Sequence, residues 1–260
     1  MYVDIHAHLD HSRFSADLDK VIERCRKEKV SVITSGVNTG TNRRALEIAE
    51  KYNDVVKVSL GLYPIDALAV EMKSGEFPRT IEVVDVDKEL EFIKKNKDKI
   101  IAIGEAGLDL AHAGQIEKQK KTFLKVIELA EKIKKPLIVH SRKAEREAVE
   151  ILESSKLKKV VMHCFCGRAS LVKRIEDNGW MLSIPPIIFK SQQFQLIAEK
   201  VNINQLLTET DAPYLAPPGE DRNEPIFVKK TVEKIAEIKG MEKEEVKKNI
   251  FMNYQKMFLG

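Results

Sequence analysis

Two periodicities alternate along the chain. Short β-branched runs at residues 2–7, 30–36, 55–61, 100–105, 136–140, 159–163, 180–184 and 205–210 predict eight strands. Amphipathic patterns near residues 16–28, 41–51, 86–97, 117–134, 142–154, 169–177 and 191–200 predict helices between them, with two more after the last strand. In 117–134 the apolar residues Phe123, Ile127, Ala130 and Ile133 recur at intervals of four and three, the stripe of a helix laid on a sheet. Phe194, Ile197, Ala198 and Val201 repeat that stripe, as do Val246, Ile250, Tyr254 and Met257. Strand-then-helix units without a polar linker between halves predict one α/β domain over residues 1–260. Eight of them match a closed (β/α)8 barrel, the TIM barrel, whose usual size is about 250 residues. An open doubly wound sheet remains the alternative, and it requires its polar residues to meet across a crevice. The longest interruptions, 63–84 and 215–225, both follow strands, on the side where such folds build active-site loops.

Composition narrows the setting. The 260 residues are 43% hydrophobic and 32% charged, and no apolar run approaches the roughly 20 residues that span a bilayer. No basic stretch leads into an apolar core at the start, and the first histidines come too early to leave room for a targeting peptide, so a cytoplasmic location is expected. Cys25, Cys164 and Cys166 cannot all pair internally, which fits a reducing compartment. The net charge of +4 tolerates a polyanionic partner without requiring one. Lysine-rich stretches such as 118–121, 132–135 and 156–159 read as solvated helix faces and turns.

The chemistry lies in the polar residues at the strand ends. In Asp4-Ile5-His6-Ala7-His8 the strand period of two puts both histidines on one face, where they can converge on a divalent metal. Glu105 ends Ile100 to Gly104, His140 ends Pro136 to Val139, His163 ends Val160 to Met162, and Asp211 follows Leu206 to Thr210. Parity places Ile103 with Glu105, Ile138 with His140, and Leu207 with Glu209 and Asp211. In a barrel those faces point inward together at the C-terminal end of the strands. Four imidazoles and two carboxylates suit Zn, Mn, Fe, Co or Ni, and burying them together unpaired would be costly. A structural metal is the competing explanation, but such sites are usually closed by four ligands and often rich in thiolate. Six donors exceed the needs of one tetrahedral ion. Glu105 has two oxygens with which to bridge two ions, His6 and His8 holding one and His140 and His163 the other. Asp211 is placed to contact the first ion and take the proton of an attacking water.

This ordered set resembles the TatD family of metal-dependent deoxyribonucleases, within the amidohydrolase-like metal hydrolases. The resemblance covers almost the whole chain. It rests on His6-Ala7-His8, Ile103-Gly104-Glu105-Ala106-Gly107-Leu108-Asp109, Gln119 with Phe123, and Pro136 through His140-Ser141-Arg142. It continues in His163-Cys164-Phe165-Cys166-Gly167, Glu209-Thr210-Asp211-Ala212-Pro213-Tyr214-Leu215 and Arg222-Asn223-Glu224-Pro225. The resemblance implies a (β/α)8 barrel of the metallo-dependent hydrolase type, with two divalent ions (Mg, Mn, Zn, Co or Ni) on His6, His8, Glu105, His140, His163 and Asp211. It further implies hydrolysis of DNA, including removal of nucleotides from 3′ ends, with Glu105 bridging and Asp211 handling the proton of water. One departure stands out. Where the family commonly has glycine, an apolar residue and His-Pro-His, this chain reads Gly61-Leu62-Tyr63-Pro64-Ile65. Tyr63 offers a hydroxyl to substrate there but, with an ordinary pKa of about 10, no cation.

Substrate contacts are less sharply marked. Arg142 either forks onto a phosphate or pairs with Glu209, which lies beneath Asp211 on the inward face. Arg222 and Glu224 either reach substrate or cap and staple the loop before Pro225. Arg13, Arg168 and Lys190 follow strands and can contact a DNA backbone. Phe189 is a stacking candidate, Trp180 reads as core, and Cys164 as a packed thiol. His11 and His112 lie near the loops without occupying a ligand position. The functional expectation is a cytosolic two-metal deoxyribonuclease acting on single strands or frayed 3′ ends, with no membrane and no obligate protein partner. The same centre would serve a hydrolase of a small amide, lactone or phosphate ester. Outside the enzymes, a non-catalytic metal-stabilised interaction protein is the alternative.

Overall fold

In the computed structural model of the chain, which describes residues 1–71 and 84–260, eight parallel strands pair in chain order. They are β1 (Tyr2–Ala7), β2 (Val30–Gly36), β3 (Val56–Leu62), β4 (Ala102–Asp109), β5 (Leu137–Arg142), β6 (Val160–Met162), β7 (Met181–Ile184) and β8 (Leu206–Thr208). Helices follow in turn: α1 (Leu18–Lys27), α2 (Thr39–Lys51), α3 (Val86–Lys95), α4 (Ile116–Ile133), α5 (Glu145–Glu153), α6 (Ala169–Asp177), α7 (Gln192–Lys200), α8 (Val228–Lys239) and α9 (Lys243–Tyr254). The last strand returns to the first, closing the (β/α)8 barrel. Ala7 bridges Ala212 in parallel, Thr208 Oγ1 donates to the Val3 carbonyl at 2.6 Å, and Asp211 N donates to the His6 carbonyl at 2.8 Å. No helix among the described residues is long and apolar enough to cross a membrane.

The strands are buried on both faces, as a parallel sheet under helices requires, and their branched residues form the core. Of the predicted stripe of α4, Phe123, Ile127 and Ala130 are buried and Ile133 is half-buried, with Val126 buried beside them. Trp180 is core, as its position before β7 predicts. Strand ends depart from expectation where ligands are set. β4 runs past Glu105 to Asp109, with its register slipping against both neighbours between Ile103 and Ala106. β5 continues to Arg142, so α5 starts three residues later than its pattern predicts. β8 stops at Thr208, and Asp211 adopts φ +55°, so parity does not carry Glu209 and Asp211 onto one extended face. The interruption at 63–84 lies partly outside the described residues.

Two glycines let the neighbouring strands close on Glu105. A Cβ on Gly61 would stand 2.2 Å from the Glu105 carbonyl oxygen, and one on Gly107 would stand 1.9 Å from the His140 carbonyl oxygen. Gly107 also holds φ at +153°, a conformation L side chains rarely adopt. Because the obstacle is backbone in both cases, Gly61→Ala is expected to lower stability by about 3 kcal/mol. Urea unfolding of the metal-free protein checks this, and an unchanged midpoint would contradict the close approach.

Candidate metal centre

Glu105 stands at the centre of the site, its carboxylate oxygens facing opposite ways. Oε1 lies 2.7 Å from His140 Nδ1 and 3.1 Å from His163 Nε2. Oε2 lies 3.3 Å from His6 Nε2 and 3.5 Å from His8 Nε2. Asp211 Oδ1 joins the second group, 3.5 Å from His6 Nε2 and 3.3 Å from His8 Nε2. The six residues expected at the strand ends are thus brought together as two donor groups that share Glu105. His6, His8 and Glu105 offer one set of atoms close enough to hold a cation, and Glu105, His140 and His163 offer another.

The donors also present the correct atoms. The Ser35 carbonyl, 3.1 Å from His8 Nδ1, can only accept, so that nitrogen carries the proton and Nε2 keeps its lone pair toward Glu105. Glu209 Oε2 does the same at His163 Nδ1, 3.3 Å away. His140 is turned round. Its Nε2 faces Asp109 Oδ2 at 3.3 Å, which leaves Nδ1 as the donor. His6 Nδ1 lies 3.0 Å from Ser35 Oγ, while its fully buried Nε2 has no hydrogen-bond partner among the described residues. A buried nitrogen lone pair aimed at two carboxylates is what a metal ligand requires, so the residues fit the cation.

Charge in the cluster follows from this crowding. Burial opposes a charge on His8, but Asp211 and Glu105 outweigh it and push the imidazole up to about 9. Burial likewise opposes ionisation of Glu105, yet His163, His140 and His6 hold its carboxyl well below the usual range. His163 is raised well above its ordinary value because Glu105 and Glu209 overcome burial. Where no cation neutralises the carboxylates, protons on the imidazoles do so.

The other expected residues divide by place. Tyr63 is buried at the cavity wall, its hydroxyl donating to Asp109 Oδ2 at 2.6 Å. Glu209 lies beneath His163, its second oxygen accepting from Cys164 N at 2.8 Å, and does not line the cavity. Arg142 does not pair with Glu209 or with any other described residue, and its exposed side chain lines the opening. Arg222 does not line either cavity at the donors. It forks onto Asp17 at 2.8 and 2.7 Å, meets Glu224 at 2.6 Å, and covers the Phe14 ring. Arg13 is likewise held by the carbonyls of Pro213 and Asp221. Phe189 is exposed, and Cys164 and Cys166 line a neighbouring cavity. Residues missed from sequence are Ser35 and above all Asp109, a fully buried carboxylate that ends β4 four residues past Glu105. That polar ending was the available signal.

Two cavities meet at the donors. One, of about 280 Å³, is walled by Val37, Tyr63, His112 and Tyr214; the other, of about 310 Å³, by Glu145, Cys166, Ile187 and Phe194. His140, Arg142, His163, Asp211 and Leu215 line both.

The family model described as TatD related DNase matches residues 3–259. The chain belongs to the TatD family. A metal-dependent hydrolase of Methanocaldococcus jannaschii is 37% identical over 257 residues, covering 99% of this chain and 96% of its own. Human deoxyribonuclease TATDN3 is 34% identical over 262 residues, covering 98% and 94%. The crystal structure of the TatD homolog YjjV from Escherichia coli superimposes with a TM-score of 0.85 at 24% identity, covering 100% of this chain and 98% of that one, and shares the fold. This TatD protein is therefore a metal-dependent hydrolase, which displaces the interaction-protein alternative.

Two outcomes follow for this TatD centre. Glu209→Gln keeps the shape beneath His163 but removes the charge that orients it, and is expected to weaken metal affinity about 10- to 100-fold by calorimetric titration. The second concerns pH. His8 is raised in the folded chain from about 6.5 unfolded, so its contribution to metal-free stability is complete below about pH 6.5 and is lost as pH rises through 9. Metal must displace those protons, so the rise in Tm produced by added Mn is expected to grow between pH 6.5 and 9. A pH-independent rise would contradict it.

Proposed function

We propose that this TatD protein is a divalent-metal-dependent phosphodiesterase of the cytoplasm that acts on DNA, taking single strands or frayed 3′ ends, with residues 1–260 forming one catalytic domain. The observation that carries this reading is the division of Glu105 between two donor groups. A carboxylate so placed suits two cations, and two cations suit in-line displacement at phosphorus. Such ions, when bound, would offset charge on the phosphoryl oxygens and make water a stronger acid.

The chain's own residues supply the rest. Asp211 borders both cavities, and although burial opposes its charge, His8, His6 and His163 keep its carboxyl below the ordinary range. It therefore remains ionised and able to take the attacking water's proton. Arg142, exposed where the cavities join, is positioned to hold a phosphate oxygen. The donors line two cavities of about 280 and 310 Å³, a scale that suits an unpaired nucleotide better than a duplex and supports the single-strand reading. The deoxyribonuclease named among the relatives supports DNA as the substrate.

A smaller phosphate ester, amide or lactone is the second reading. It is favoured by the loop after β3, where Ile65 is fully buried and the Tyr63 hydroxyl is committed to Asp109, so neither supplies a cation to a long polyanion.

Asp211→Asn is expected to retain metal and lose cleavage of single-stranded and 3′-recessed oligonucleotides by about 10²- to 10⁴-fold, read on product-resolving gels with Mg, Mn, Co or Zn. Unchanged cleavage would remove Asp211 from its role. An inert wild-type protein under every metal, with small esters hydrolysed instead, would move the substrate to the second class.

A further inference from the structure

Two imidazoles, His11 and His112, line the cavity of about 280 Å³ at the donors without belonging to the metal set. Their hydrogen bonds set them apart. His11 Nδ1 lies 3.1 Å from the backbone N–H of Arg13 and accepts from it, so this ring carries its proton on Nε2 and must give up that bond to gain a second. His112 is arranged the other way. Its Nδ1 lies 2.8 Å from Asp109 Oδ2, which can only accept, so Nδ1 holds a proton permanently and Nε2 is the nitrogen that exchanges one.

The support for His112 is unusually firm for a loop residue. Asp109 is fully buried, and its Oδ1 accepts from the backbone N–H groups of Ala111 and His112 at 2.8 and 3.0 Å. Gln119 on α4 clamps the same loop, accepting from Asp109 N at 2.7 Å and donating to the carbonyls of Asp109 and Gly114 at 2.9 Å. Asp109 Oδ2 touches the ligand His140 at 3.3 Å as well as His112, so a single carboxylate oxygen joins the two rings. A buried carboxylate behind an imidazole that faces a reaction cavity fixes the ring's tautomer and orientation. The His112 side chain is 23% exposed, which leaves solvent a route to restore its proton.

We infer that His112 is the proton donor to the departing oxygen. As the water oxygen bonds to phosphorus and its proton passes to Asp211, the P–O bond to the leaving sugar breaks. Its electron pair takes the proton carried by His112 Nε2, which solvent then replaces. The inference rests on the phosphodiesterase reading above.

A merely structural role for His112, stapling the loop to Asp109, is separable by substitution. His112→Asn keeps an N–H where Nδ1 was and removes the exchanging nitrogen, whereas His112→Ala removes both. Rates are compared on an oligonucleotide, whose alkoxide must be protonated as it leaves, and on aryl phosphodiesters whose phenols differ in acidity. For His112→Asn, with metal content and Tm unchanged, oligonucleotide cleavage is expected to fall about 10²- to 10³-fold while the p-nitrophenyl ester changes less than about threefold. The dependence on phenol acidity should steepen. Equal losses on every substrate, or losses in His112→Ala that His112→Asn restores, would overturn the role and leave a staple. Aryl esters hydrolysed without oligonucleotide cleavage would remove DNA as substrate, with the slope still deciding for or against His112. Hydrolysis of neither would defeat the phosphodiesterase reading and this one with it.

Discussion

A carboxylate buried where four imidazoles converge can stay ionised only if positive charge balances it, and Glu105 is that carboxylate. Taking such a group out of water carries a penalty of several kcal/mol that good partners must offset. Both oxygens are therefore engaged, each with nitrogen donors brought by other strands. Protons can supply the balancing charge, as the raised values of His8 and His163 indicate, and a cation competes for the same place. Metal affinity and the stability of the barrel's open end are thus two expressions of one electrostatic requirement.

Closed circular topology meets that requirement because no ligand imidazole is oriented by its own strand. His8 on the β1 side is set by the Ser35 carbonyl of β2, His163 after β6 by Glu209 after β8, and His140 of β5 by Asp109 of β4. β1 and β8 must in addition be joined for Asp211 to reach His6 and His8. That seam is polar: Asp4 accepts from Thr210 N at 2.9 Å and from Thr210 Oγ1 at 2.5 Å, while Asn223 gathers the carbonyls of Thr210, Tyr214 and Leu215. An open sheet with the same strands would leave Asp211 stranded. The alternative fold entertained from sequence fails on this point.

What could be read from sequence was whatever a local period encodes. Apolar strand runs and helix stripes revealed the eight units, and strand-end polarity marked the six donors before their geometry was known. Partners distant in sequence could not be read in that way. Arg222 sits in an Asn-Glu-Pro loop resembling a cavity rim, but Asp17, its partner, comes 205 residues earlier. Glu209 shares parity with Asp211 only while the strand continues, and β8 ends before either. Asp109 was missed because the strand was read as ending at Glu105, whereas β4 runs on to Asp109, with Gly104 and Gly107 keeping it going where its neighbours crowd against it.

Asp109 also explains why metal site and cavity wall cannot vary independently. Its Oδ2 is shared by His140, which faces the donors, and by Tyr63 and His112, which face the cavity. Any substitution at Tyr63 removes a 2.6 Å donor from that oxygen and changes how much of its charge is left to hold His140. Replacing Tyr63 by a cationic residue would do more than add a phosphate contact. It would compete with His140 for the same carboxylate oxygen and loosen the nitrogen that faces Glu105. The tyrosine is therefore better understood as part of the support for His140 than as a vacant substrate contact. Selectivity in this protein has more freedom to develop at Arg142, Leu215 and the walls of the second cavity, whose side chains border the donors without being tied to Asp109.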